Sequence, residues 1–313
     1  MKSYTTGRNL AGTWTKKTDS THLTYIDQIA NDDYRHLCAL KDWPFLERRR
    51  SISTTAATQF TNLPYDCDLV REISVTPTGS TLLYTPRECT SREEWDRLNL
   101  TSSYKADIPE WYFVFAGQVG LWPTPTSTGN TIYVAQKTRV IDLSAADYTT
   151  GTISAVTNGS ATVTGSGTSW TSQMVGRYIR ITYSDAAGTG DGLWYEIASV
   201  ASATSLTLVR NYGGTTIAAG SAAYTIGQMP LLPEAFHDLP WMWAAGDYWQ
   251  KEADNDGRAT YFLNQHGQPP QGNLPATGRV KDLIVGYSSN TTGMVLDYGI
   301  DKDQPNPNLL ISL

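Results

Sequence analysis

Residues 151–170 read GTISAVTNGSATVTGSGTSW, residues 175–212 read VGRYIRITYSDAAGTGDGLWYEIASVASATSLTLVRNY, and residues 222–228 read AAYTIGQ. Apolar and polar residues alternate through Ile153/Ala155, Val163, Tyr178/Ile179/Ile181, Trp194/Tyr195/Ile197, Leu206/Leu208 and Tyr224/Ile226, with Gly, Asn and Ser between the runs. A period of two, broken at short intervals by turn chemistry, predicts a small all-β barrel or sandwich. Its charged residues, Arg177, Arg180, Asp185, Asp191, Glu196 and Arg210, sum to zero, so the flanks carry the whole net charge of −6. The flanks also hold nearly all the predicted helix. The expected fold class is α+β: a helical core with a β-sheet portion, into which a β module spanning 151–228 is set.

A chain of 313 residues is long enough for two domains, each with its own core. The acidic balance, pI near 5.2, argues against a broad basic face for gripping nucleic acid. It suits a surface past which DNA slides without sticking. Cys38, Cys67 and Cys89 form no CxxC and leave an odd one over, which favours reduced thiols over a disulfide framework. The opening MKSYTTGRNLAGTW has no apolar signal core, and no run approaches the ~18 apolar residues needed to span a bilayer. No membrane association is expected. Ten Trp and eighteen Tyr favour extensive interfaces, although carbohydrate-binding faces use the same residues.

In chain order, residues 1–18 are polar and aperiodic and predict an extended or mobile arm. Asp19 or Ser20 caps a helix to about residue 41, with Leu23, Ile26, Ala30, Tyr34 and Leu37 on one face. Trp43-Pro44 ends it, and Trp43 and Phe45 pack in a core or against another subunit. Residues 48–62 predict a strand, Leu63–Asp66 a turn, and Leu69–Val75 with Leu82–Tyr84 a hairpin. Ser91 and the glutamates after it open a short helix carrying Trp95 and Leu98. Trp111–Val119 and Thr131–Thr138 alternate as two strands. The prolines of Leu121-Trp122-Pro123-Thr124-Pro125 exclude a central strand between them. Beyond the β module, Pro233 and Pro240 each start a helix, with Phe236, Leu239, Trp243, Ala244 and Tyr248 as the apolar stripe. Asp256–Gln265 adds another helix, stopped by Gly267 and Pro269-Pro270. Residues 288–308 lose hydrophobic periodicity, and the chain closes on NPNLLISL.

A search for chemistry finds little. His22, His36, His237 and His266 are far apart and none has metal-ligand spacing. His237-Asp238 lacks an accompanying nucleophile elbow and reads as structural. The stretch Glu252–Gly257 resembles the start of a calcium loop, but position twelve is Leu263 where a bidentate glutamate belongs. GSGTSW (165–170) and GTGDG (188–192) lack a P-loop lysine and read as turns. No cofactor is implied, and the chain is read as a non-enzyme.

The helix YIDQIANDDYRHLCALKDWPFLE (25–47) resembles the opening of head-to-tail adaptor, or connector, proteins of tailed bacteriophages. LPYDCDLVREISV (63–75), the short helix, IPEWYFVFAGQVGLWPTPTSTGNTIYVAQKTRV (108–140) and LPEAFHDLPWMWAAGDYW (232–249) are similar to that family in order. The β module resembles an insert of phage neck and tail proteins. The resemblance implies an N-terminal arm (1–18), a helical-bundle adaptor core (19–150 and 229–290), the insert (151–228) and a C-terminal docking tail (291–313). It implies a virion component of the head-tail neck, assembled in the host cytoplasm. The expected structure is a ring of twelve copies under the portal protein, joined below to a stopper, nozzle or tail-tube protein, with DNA passing through. Leu309, Leu310, Ile311 and Leu313 would dock into the portal. Trp43, Phe45, Phe236, Trp241, Trp243 and Trp249 are the candidate inter-subunit or core aromatics. The competing reading is a tail-fibre or baseplate protein that binds glycans through Trp170, Trp194 and Tyr195.

Overall fold

The computed structural model describes residues 1–100, 105–183, 190–271 and 274–287. The chain forms two compact units, Met1–Lys41 with Asp142 onward, and Asp42–Ile141.

The first 18 residues are not an extended arm. Tyr4–Thr15 form α1, whose N-cap Ser3 accepts the amide of Thr6 and whose C-cap Lys16 is left-handed at φ 59°. Its buried face is Tyr4, Gly7, Ala11, Gly12 and Thr15. Small residues make this face, so no apolar stripe marks it in the sequence. Helix α2 (Ser20–Ala39) begins where expected: Asp19 caps it by accepting the amide of His22 at 2.9 Å.

In the Asp42–Ile141 unit, a 3-10 turn at Pro44–Leu46 leads into β1 (Glu47–Ser53). The strand expected over 48–62 is broken. Ala57 takes a left-handed φ of 57°, and β2 (Phe60–Asn62) belongs to a different sheet from β1. β3 is Cys67–Thr76, and Leu82–Tyr84 meets it only at a single Val75–Tyr84 bridge. Next come β4 (Arg87–Glu88), α3 (Arg92–Asn99), β5 (Trp111–Phe115), β6 (Gln118–Trp122) and β7 (Thr131–Thr138). One sheet has the order β1-β7-β3 and the other β2-β6-β5-β4. The run 111–119 is therefore a hairpin, turned at Ala116 (φ 51°) and Gly117 (φ 75°). β6 lies inside its sheet, and Pro123 and Pro125 follow it. The apolar faces of both sheets meet in one core of Ile73, Val75, Tyr112, Val119, Leu121, Ile132 and Val134.

In the other unit, β8 (Thr152–Val156), β9 (Thr162–Ser166), β10 (Tyr178–Ile181), β11 (Trp194–Ser202), β12 (Ser205–Leu208) and β13 (Tyr224–Gly227) form a six-stranded sheet. Its order is β13-β10-β11-β12-β9-β8. Bridges Ile153–Ala222, Val156–Ile217 and Tyr148–Ile226 pair the edge strands with the chain beside them. A bulge between Ile153 and Ala155 shifts the parity of β8, so Val156 points inward in place of Ala155. The buried interior is an apolar cluster of residues between 153 and 226, with Tyr148 packed against it.

Helices α4 (Leu239–Lys251), α5 (Asp256–His266) and α6 (Gly278–Tyr287) complete this unit. α4 is buried nearly all round, not along one stripe. It approaches α1 at Gly7, where any side chain would enter the Trp241 ring. It approaches α5 at Gly246, where an added Cβ would lie 2.7 Å from Leu263. α5 stops at Gly267, φ 87°, as its glycine predicted. α6 was not anticipated.

Candidate functional site

Several polar groups buried between the helices are partnered as structural ties, whereas the indole nitrogens of Trp241 and Trp249 on α4 are buried without a hydrogen-bond partner among the described residues. Asn31 on α2 clamps the backbone of Leu143, accepting its amide at 2.7 Å and donating to its carbonyl at 3.1 Å. Tyr25 donates to Asp247 of α4 at 2.6 Å, and Lys251 pairs with the same carboxylate. His266 at the end of α5 contacts Asp33 of α2 at 3.0 Å through Nε2, with Nδ1 held 2.7 Å from the Gly267 carbonyl. In His237, Nδ1 accepts the Lys2 amide, so Nε2 carries the hydrogen donated to the Leu232 carbonyl at 2.8 Å. Burial, aided by the nearby N-terminal ammonium, pushes His237 down to about 4, and the ring is neutral. Burial also lowers His22, whose Nε2 meets the Thr15 hydroxyl.

The other unit has its own organiser. Burial would raise the Asp107 carboxyl, but hydrogen bonds from Thr126, Asn130 and Ser127 outweigh it and hold it well below the usual range. That carboxylate pins the loop 126–130 ahead of β7. The buried Asp66 accepts a forked pair of bonds from Arg50 and one from Gln136. Among the described residues, no group of three or more His, Cys, Asp or Glu is placed to hold a metal. An open cleft of about 440 Å³ between α5 and α6 is lined by Tyr261, Asn264, Gln265, Arg279 and Asp282. Arg279 is already committed there to Asp238 and the Ala235 carbonyl. These groups assemble no nucleophile and base.

The candidate aromatics divide. Trp43 and Trp241 are fully buried. Trp249 is nearly so, with Arg258 over its ring at 4.6 Å. Phe45, Phe236 and Trp243 are half-buried, against Trp43, Tyr287 and His266 respectively. Trp170 and Tyr195 lie inside the β module, with Trp170 donating to the Tyr224 hydroxyl at 2.9 Å and Tyr195 to Asp191. Their faces are spent on packing. Trp194 alone of the glycan candidates reaches the surface, and Arg180 covers it at 5.0 Å. The tail candidates Leu309, Leu310, Ile311 and Leu313 lie outside the described residues.

The sequence profile of the SU10 adaptor protein family matches residues 4–268. The chain belongs to the SU10 adaptor protein family. No curated relative matches it. The match opens at the first residue of α1 and closes just beyond α5, so it spans both units. An SU10-type adaptor is a bacteriophage structural protein and a virion component, so its working parts are surfaces. Among the described residues, no helix is long and apolar enough to cross a membrane.

Three surfaces of this SU10-family chain went unnoticed in the sequence. Leu82 and Leu83 are exposed beyond β3. Phe115 ends a stacked row, Trp95–Phe113–Phe115, with Arg92 over it at 5.0 Å. In the β module, Tyr183, Leu193 and Val209 are exposed. Alternation parity was the available signal: Phe113 and Phe115 share a face, opposite the buried Tyr112.

Proposed function

We propose that this protein is the head-to-tail adaptor of a tailed phage. It forms a ring of twelve under the portal protein, joins the capsid to a stopper, nozzle or tail-tube protein, and lets DNA pass. The family match over residues 4–268 carries this reading. The chemistry agrees with it. Closed rings arise from head-to-tail contacts between two different surfaces, and exposed apolar residues flanked by arginines suit such contacts. A net charge of −6 keeps passing phosphates from binding through counterion release.

In this reading 151–228 is an insert within a core of 19–150 and 229–290. Its apolar cluster, whose buried members all fall between 153 and 226, supports that division. Residues 291–313 are the docking tail, with Leu309, Leu310, Ile311 and Leu313 entering the portal. Assembly takes place in the host cytoplasm. Mixing the purified chain with its portal and weighing the complex tests the reading directly. A ring of fixed copy number bound to the portal is expected. A chain that stays monomeric beside the portal at high concentration overturns it.

A further inference from the structure

The β module joins the helical part of its unit through two connectors, residues 142–151 ahead of β8 and 228–233 after β13. Among the described residues, no strand of the module packs broadly on a helix, so the connectors and the groups that touch them carry its position. The inner half of this neck is rooted. Asn31 of α2 holds Leu143 through both backbone groups, and the Gln228 side chain accepts the amides of Ser144 and Ala145 and donates to the Asp142 carbonyl.

The outer half is held by the start of α1. Ser3 Oγ donates to Asp147 at 2.8 Å, the Asp147 amide donates to Thr5 Oγ1 at 2.9 Å, and the Tyr4 amide donates to the Gln228 carbonyl at 2.8 Å. Gly227 makes room for this grip, since a Cβ there would lie 2.7 Å from that of Ser3. The same segment is tied to the helices. The Lys2 amide donates to His237, Lys2 Nζ pairs with Asp238, and Tyr4 and Arg8 both reach Asp27 of α2.

α1 itself is lightly held. Beyond Tyr4, its buried face is Gly7, Ala11, Gly12 and Thr15, which removes little apolar surface from water, and Trp14 is only half-buried against Phe262. Docked, it covers two polar atoms that have no hydrogen-bond partner among the described residues: Trp241 Nε1, against Gly7, and Asp147 Oδ1, beside Gly227. Buried groups without partners favour any state in which water reaches them. We propose that α1 is a releasable latch: docked, its Ser3–Thr5 end fixes the β module on the helices, and undocked, it frees the module to swing about its two connectors. The module's own apolar cluster keeps it folded through such a swing. In the adaptor reading the latch decides which way each module points, but the device does not depend on that reading.

Amide exchange on the full wild-type chain is the first test. The α1 amides are expected to exchange at least about tenfold faster than those of α2 and α4, by opening without global unfolding. Equal rates in the three helices overturn the latch. Cys38, Cys67 and Cys89 are buried, so spin labels go on cysteines introduced as A203C, on the β11–β12 turn, and T260C, on α5, both exposed positions. The distance distribution between them should become roughly twice as wide in S3A/T5V, which cuts the grip on the neck. G7A should widen it as much, although its added methyl enters the Trp241 ring one helical turn from Ser3. An unchanged distribution in a G7A chain whose α1 amides have lost protection overturns the coupling of latch to module. Loss of β10 or α2 protection in a variant marks unfolding, and the wild-type exchange comparison then decides alone.

Discussion

The contact between His266 and Asp33 ties α5 to α2 across 233 residues of sequence, and its removal makes a sharp test of the helical packing. Both side chains are almost wholly buried, at 2 % and 6 % exposure. The Gly267 carbonyl only accepts, so Nδ1 carries a hydrogen and Nε2 meets the Asp33 carboxyl across one further proton. Asp33→Ala strips Nε2 of its partner where water does not reach. Leaving a buried polar atom without its partner costs about 1–3 kcal/mol. Asp33→Asn is different in kind: its amide donates to Nε2 of a neutral ring, and the loss falls to about 1 kcal/mol.

Urea unfolding followed by tryptophan fluorescence reads the difference, since the Trp243 ring lies 5.1 Å from His266. The Ala variant should lower the midpoint by about 0.5–1 M and the Asn variant by less, with the slope unchanged. The D33A/H266A double variant should cost less than the sum of its single changes. If Ala and Asn at position 33 cost the same to within about 0.5 kcal/mol, the hydrogen-bond reasoning fails.

Asn31→Ala leaves the Leu143 amide and carbonyl without partners and should cost about 2–3 kcal/mol, measured by chemical unfolding. Ala116→Asn should stabilise the β5–β6 turn by about 0.5 kcal/mol, because asparagine tolerates left-handed backbone and alanine does not; a lowered melting point would contradict this. His237 has a folded value near 4 against 6.5 unfolded, so its contribution is complete above pH 6.5 and drains away as pH falls towards 4. His237→Gln should flatten that part of the stability–pH curve. Asp107 is depressed below 3.8, so its contribution is present above that value and lost only at lower pH, and Asp107→Asn should abolish the loss.

Elements whose signals are local could be read from the sequence. Asp19 before α2, Ser91 before α3 and Gly267 after α5 each act through residues within one turn, and each stands where the residue type placed it. The β module showed itself through parity over many residues, which one bulge at Ile153/Ala155 shifts without erasing. What stayed hidden depends on partners distant in sequence. α1 looked like an arm because its interior face is Gly7, Ala11 and Gly12, chosen by the bulk of Trp241 on α4. The turn at Ala116 lacks the usual asparagine or aspartate, so one hairpin passed for one strand. The acid–base pair of His266 and Asp33 leaves no spacing to find.

The same distinction governs how the adaptor's surfaces are to be found. A surplus of aromatic residues points to interfaces only if those residues are exposed, and here the fold consumes Trp43, Trp95, Trp170 and Trp241 in its own cores. The large apolar groups left exposed include Leu82, Leu83, Phe115 and Leu193, side chains that a count of tryptophans passes over. Backbone follows the same logic more strictly, because an unpaired strand edge offers a full row of donors and acceptors whatever its side chains are.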